Sequence, residues 1–244
     1  MTLRSLIPSL IFAFLLVQAL NAQYSIRQWN VEDGLPQSSV RCITQTHDGY
    51  LWIGTWNGLA RFDGVHMTVF NAANTPDLHP SITFIHEDRA HRLWIGTDGG
   101  GLCQYRNGNV VRFDSASGIT GTMISAMNED SSGRMWFATE GGIFVFAGDR
   151  FTHVPYAHTF PEKSVTGILP CPDGSIYLEL VDVVFHVRLS GGTLVLLDKP
   201  FHTGGYRVDQ DTSGTFWYSV KGKGLARRNG MTERIDGRFA RAFP

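Results

Sequence analysis

Apolar and polar positions run along this chain in short bursts, and the bursts repeat. The anchor of the repeat is an apolar–aromatic–apolar triplet: Leu51-Trp52-Ile53, Leu93-Trp94-Ile95, Met135-Trp136-Phe137, Ile176-Tyr177-Leu178 and Phe216-Trp217-Tyr218. Successive central aromatics lie 42, 42, 41 and 40 residues apart. Apolar runs this short, bounded by Asp, Asn and Gly, are strands rather than helices. A strand-rich unit repeating at this period predicts an all-β chain, a β-propeller of four-stranded antiparallel blades with five blades readable.

Each repeat opens on an apolar stretch, at Val40/Ile43, Ile82/Ile85, Ile124/Met127 and Val165/Ile168. This is the innermost strand, expected to have both faces hidden by its neighbours in the ring. A polar turn follows, at Asp48-Gly49, Asp130-Ser131-Ser132-Gly133, Asp173-Gly174 and Asp211-Thr212-Ser213-Gly214. Asp accepts hydrogen bonds from nearby amides there, and Gly tolerates positive φ. The second repeat has His91 where the others have Gly, so its turn is expected to differ. The triplet strand comes next, trailed by a small residue and Thr at Gly54-Thr55, Gly96-Thr97 and Ala138-Thr139. The small residue is expected to let adjacent blades approach closely. Gly58-Leu59, Gly101-Leu102, Gly142-Ile143 and Gly224-Leu225 open a third strand. Asp63-Gly64, Asn107-Gly108, Ala147-Gly148 and Asn229-Gly230 turn it into a more polar outer strand. In the fourth copy Glu179-Leu180 replace Gly-Thr and Val183-Val184 replace Gly-Leu, but the spacing holds. The period places the blades at about 39–75, 80–118, 122–160, 164–200 and 205–240 within a propeller region of about 23–244. No helix of ordinary length is readable after residue 22.

A chain of 244 residues suffices for one domain with a real core. A net charge of −1, with no basic cluster, argues against nucleic acid as a partner. Arg4, the apolar run Leu6 to Val17 and Leu20-Asn21-Ala22 read as a cleaved signal peptide over 1–22. That places the mature chain in the periplasm or outside the cell. The apolar run is shorter than the ~20 residues a membrane helix needs, and no later stretch reads as a span. Cys42, Cys103 and Cys171 sit at unrelated phases of the repeat, which predicts small free thiols rather than a disulfide framework.

The series Asp33-Gly34-Leu35-Pro36, Leu51-Trp52-Ile53-Gly54-Thr55, Gly58-Leu59 and Leu93-Trp94-Ile95-Gly96-Thr97 resembles the two-component regulator propeller family, over about Tyr24 to Ile235. The resemblance implies the exported sensor half of a bacterial signalling protein. Such proteins commonly carry two seven-bladed propellers, an immunoglobulin-like domain, one membrane helix and a cytoplasmic histidine kinase or diguanylate cyclase. Several sense carbohydrates released from polysaccharides. The implied partners are an oligosaccharide ligand and a second propeller or immunoglobulin-like domain of the same protein. The chain stops at Pro244 after five repeats, whereas seven blades would take roughly 290 residues. An incomplete or open array, a truncated sensor, is therefore expected. Tyr24 to Trp29 reads as a stray outer strand, which either pairs with the fifth blade and closes a small ring or belongs to a missing blade.

No residue set forms a catalytic constellation, and no cofactor or metal is called for. His86 and His91 straddle a turn without a metal-ligand motif. Gly99-Gly100-Gly101 lies between strands and reads as a hairpin turn, not a phosphate cradle. Ser38-Ser39 lacks the context of a nucleophile elbow. Trp52, Trp94, Trp136 and Trp217 keep a fixed phase inside a strand and read as core. The better binding candidates break the repeat. Trp56 stands in a turn where other copies have Asp98 and Glu140, with Asn57 beside it. In a propeller these turns share a face with the links between blades. Trp56, Asn57, Asp98 and Glu140 are thus expected together, near the segments after Leu35, Thr75 and Gly118. An aromatic anchor beside carboxylates suits a carbohydrate. The alternative is an exported propeller enzyme, such as a streptogramin-lyase-like or glycan lyase. His153, His158 and Glu162, expected in one loop region, are the available acid–base seed for it.

Overall fold

A computed structural model describes residues 26–106, 108–157, 165–181, 183–202, 208–211, 215–220, 223–229 and 232–236. The signal segment 1–22 lies outside the described residues. Five antiparallel sheets follow one another as the blades of a β-propeller. Blade one contains β1 (Val40–Gln45), β2 (Leu51–Thr55), β3 (Gly58–Phe62) and β4 (Met67–Phe70). Blade two contains β5 (Ile82–Glu87), β6 (Leu93–Thr97), β7 (Leu102–Arg106) and β8 (Asn109–Phe113). Blade three contains β9 (Ile124–Glu129), β10 (Met135–Thr139), β11 (Gly142–Ala147) and β12 (Arg150–Val154). Blade four contains β13 (Gly167–Pro170), β14 (Ser175–Leu180), β15 (Val183–Ser190), β16 (Thr193–Leu196) and β17 (Phe201–His202). Blade five contains β18 (Val208–Gln210), β19 (Phe216–Val220), β20 (Gly224–Asn229) and β21 (Thr232–Asp236). Blade four departs from the four-stranded expectation. β15 is long, β16 pairs only with its C-terminal half, and Val183 and Val184 are left to pair with His202 and Phe201. Among the described residues no helix is long and apolar enough to cross a membrane.

The triplet works by the two-residue period of a strand, which sends alternate side chains to opposite faces. In blades one to four the central aromatic faces the next blade, and in blades two to four its flanking residues face the previous one. Trp52 joins Ile82, Ile85 and Ile95 in the seam between blades one and two. Trp94 joins Ile124 and Phe137 in the second seam, and Trp136 joins Ile168 and Leu178 in the third. Tyr177 meets Tyr218 and Ala226 in the fourth. Trp52, Trp94 and Trp136 are buried, as the phase predicts. Gly54 and Gly96 are small because the next blade's inner strand lies against them. A Cβ on Gly96 would come within 2.8 Å of Ile124 Cβ, and one on Gly54 within 2.7 Å of Ile82 Cγ2. The inner strands are laced directly: Thr44 Oγ1 donates to the Ile85 carbonyl at 2.8 Å, Thr83 Oγ1 to Ile124 at 2.9 Å, and Ser125 Oγ to Val165 at 2.6 Å.

The first hairpin turns correct two expectations. The turn in the second repeat is not different. Asp88 N–H donates to the Arg92 carbonyl and His91 N–H to that of Asp88, as Asp130, Arg134 and Gly133 do in blade three. His91 simply adopts the positive φ, 58°, that Gly takes elsewhere. Nor are the turn aspartates equivalent. Asp88, Asp130 and Asp211 stand six residues before the aromatic, and each accepts its indole N–H, at 2.8 to 2.9 Å. Thr46 and Cys171 hold that position in blades one and four, so Asp48 and Asp173 sit two residues further along. None of the three cysteines is in a disulfide, and Cys103 and Cys171 are buried.

Blade one is an end of the array. Val40 and Ile43 on β1 are 48% and 59% exposed, contrary to an inner strand hidden on both faces, because among the described residues no blade packs on that side. Leu35 and Trp29 cover only part of the face, against Ile53 and Phe62. Ile26 to Trp29 form no strand. Each blade takes its outer strand from its own repeat, which leaves this segment nothing to pair with, and Trp29 packs edge-on against Phe62 instead. Tyr24 lies outside the described residues.

Candidate functional site

The turns between second and third strands do share a face with the links between blades. Gly58 N–H donates to the Pro80 carbonyl, and the N–H groups of Gly99 and Gly101 donate to that of Thr122. The lead-in to blade one and the link between blades two and three are built alike. An Asn or Asp caps a single 3-10 turn, at Val31–Asp33 and Ser115–Ser117, and a left-handed Gly ends it, Gly34 at φ 102° and Gly118 at φ 91°. The residue after each Gly, Leu35 or Ile119, plugs the core.

On this face a cleft of about 520 Å³ opens at the propeller axis. Arg41, Thr83, Ser125 and Thr166, one from each of four blades at the same phase of the repeat, line it. Asp98 and Glu179 add carboxylates to its wall, and Phe84, Met123, Ile124 and Val181 its apolar part. Asp98 is fixed at the rim by donating its N–H to the Ser81 carbonyl and by a bridge to Met123.

The four expected residues divide. Trp56 is 48% exposed, and the Arg41 guanidinium lies over its ring, with Cζ 3.8 Å from the centroid. Arg41 thereby links Trp56 to the cleft that Asp98 lines. Asn57 is exposed in the same turn, its N–H donating to Thr55 Oγ1. Glu140 is committed to structure: its carboxylate accepts from the N–H groups of Thr122 and Met123 and from the Thr122 hydroxyl. Burial works against ionisation of Glu140, but these donors outweigh it and hold the carboxyl below its ordinary range. Sequence reasoning missed Arg41 and Glu179. Both carried a signal, since Arg41 stands where repeats two to four have Thr or Ser, and Glu179 where repeats one to three have Gly or Ala.

The other titratable candidates scatter. His153 lies on the outer strand β12 opposite Phe144 rather than in a loop, and His158 and Glu162 lie outside the described residues. His86 pairs with Trp94 across β5 and β6. Burial lowers its pKa against the pull of Glu129, Asp88 and Glu87, which favours the neutral ring.

The two-component regulator propeller family matches residues 34–57 and 118–141. Both segments begin at the left-handed glycine of a link and run through the following aromatic strand. A protein described as histidine kinase P4, from Formosa agariphila, is 37% identical over 76 residues, which make up 30% of this chain and 5% of the relative. The extracellular domain of a hybrid two-component system from B. thetaiotaomicron superposes with TM-score 0.74 at 22% identity, over 89% of this chain and 32% of that one. A catalytically inactive virginiamycin B lyase from Staphylococcus aureus, solved with quinupristin, superposes with TM-score 0.67 at 15% identity, over 88% of this chain and 74% of the lyase. The two structural likenesses are likenesses of fold. The chain spans only a small part of the kinase and about a third of the extracellular domain.

Proposed function

We propose that this propeller of two-component regulator repeats is the extracytoplasmic sensor module of a bacterial signalling protein, and that it binds an oligosaccharide without turning it over. One observation carries the reading. The axial cleft joins an exposed aromatic, Trp56, to a cation, Arg41, and a carboxylate, Asp98. An aromatic face takes the apolar face of a sugar ring, while charged groups take its hydroxyls. Arg41 covers one face of the indole, so the ring stacks on the other. The output half, a histidine kinase or a cyclic-dinucleotide cyclase, belongs to the rest of such a protein, as do its further propeller and immunoglobulin-like partners. The likeness to a histidine kinase and to the extracellular domain of a hybrid two-component system supports this reading, and the export signal read at 1–22 agrees with it.

The lyase likeness supplies the second reading, so the test must separate binding from turnover. The full chain is titrated calorimetrically with neutral and uronate-containing oligosaccharides, and each mixture is then analysed for products. Binding of one class with no product is the expected outcome. Cleavage of any member would replace the sensor with an enzyme, and binding to none would remove the carbohydrate assignment.

A further inference from the structure

The opposite face carries a cluster that the sensor reading does not use. It sits at the seam of blades one and two, where the first hairpin turns meet. The corresponding turn position is Gly in the other described turns of this kind, at φ 89° for Gly49, 78° for Gly133 and 80° for Gly174. In blade two it is His91, at φ 58°, a backbone region that disfavours a side chain. The turn's hydrogen bonds are unchanged by the substitution, so the backbone does not call for an imidazole. Residues held in such conformations cluster at functional sites.

His91 places its ring against that of His47 from blade one, with centroids 3.7 Å apart and planes at 29°. Glu87 Oε1 lies 2.6 Å from His47 Nδ1 and 3.9 Å from His91 Nδ1. Glu87 is anchored by its other oxygen, Oε2, which accepts the His47 N–H at 2.7 Å. The same carboxylate-to-amide clasp recurs one seam on, between Glu129 and the N–H of Arg89. There an arginine takes the place of His47 and a glycine that of His91. The clasp is thus shared by these two seams, and the two imidazoles are what the first seam adds to it.

We propose that His47, Glu87 and His91 form a zinc-type transition-metal site that staples blade one to blade two. One ligand atom from each residue falls within a sphere of contacts no wider than 4.8 Å. Zinc bonds of ~2.0–2.2 Å in tetrahedral geometry set ligand atoms about 3.3 Å apart, between the 2.6 Å and 3.9 Å that now separate Glu87 Oε1 from the two Nδ1 atoms. Two nitrogens and one carboxylate oxygen are a zinc donor set. The site opens on a cavity of about 330 Å³ floored by Trp52 and Tyr105, which leaves the fourth position to water. Arg92, whose guanidinium is held by Asp88 at 2.6 Å, and Arg106 also line this cavity.

The test uses the full chain, zinc chloride and magnesium chloride, with calorimetry and thermal melts. The wild type is expected to bind one zinc ion at micromolar affinity or tighter, to melt higher with zinc, and to ignore magnesium. His91→Gly restores the residue of the other repeats, so its metal-free melting temperature should match or exceed the wild type, while its zinc affinity falls at least tenfold. His47→Gln, at an exposed position, should lose affinity likewise. Cobalt loaded into the wild type should show tetrahedral d–d absorption that both variants lack. A wild type whose melt ignores zinc, or variants that bind zinc as the wild type does, would overturn the site.

Discussion

At the residue scale, the buried pairing of an aspartate with an indole sets the seams. Asp88 and Asp130 are almost fully buried, and each accepts from an indole N–H, an arginine Nε and backbone amides. Burial raises the carboxyl pKa of both, but these donors outweigh it, so the folded-state values lie below the ordinary 3.8. A depressed carboxyl stabilises the fold fully above its unfolded value and loses that contribution as pH falls through the folded one. The part of the melting temperature that these aspartates supply should therefore hold from neutral pH to about 5 and be lost below about 4, on top of a separate decline that begins near 6.5 because the fold favours a neutral His86. Asp130→Asn should flatten part of that acid drop, and an unchanged acid profile would contradict the assignment. Trp94→Ala empties a site that is 0% exposed and should cost about 3–5 kcal/mol in denaturant unfolding. The spacing of Asp88 or Asp130 to its Trp was on the page in the sequence. It was missed because Asp48-Gly49 and Asp173-Gly174 look alike by composition, and only the hydrogen bonds separate the two turn positions.

At the element scale, the strands and their order were legible because the triplet, the turn signals and the 42-residue interval agree. Local propensity and global fold ask for the same answer there. The close packing behind Gly54 and Gly96 was legible for the same reason, as a small residue recurring inside a strand. Gly96→Val should clash with Ile124 and destabilise by about 1–3 kcal/mol, and a variant that melts like the wild type would contradict the close approach. What periodicity could not show was the use of a strand's spare edge. β15 outruns β16 and recruits Phe201–His202, a contact set by strand length, not by pattern. Ile26 to Trp29 misled for the converse reason. The segment lies outside the five repeats, but every described sheet already has an outer strand of its own.

At the scale of the whole molecule, five blades make four seams among the described residues, and the outer face of blade one keeps Val40 and Ile43 in solvent. An unpaired apolar face of this kind favours association, so light scattering of the purified chain should show a mass above that of the monomer that falls with dilution. A strict monomer at all concentrations would point to a face that the chain itself covers. The axial cleft was only half legible: Trp56 and Asp98 stood out as breaks in the repeat, whereas Glu140 broke it for structural reasons. The central claim is that this face binds an oligosaccharide through Trp56. Its most direct measurement is the calorimetric affinity of the selected oligosaccharide for the wild type and for Trp56→Ala, with a thermal melt of each. The account predicts a loss of about 2 kcal/mol, roughly 30-fold, at an unchanged melting temperature. Equal affinities for the two proteins would contradict it.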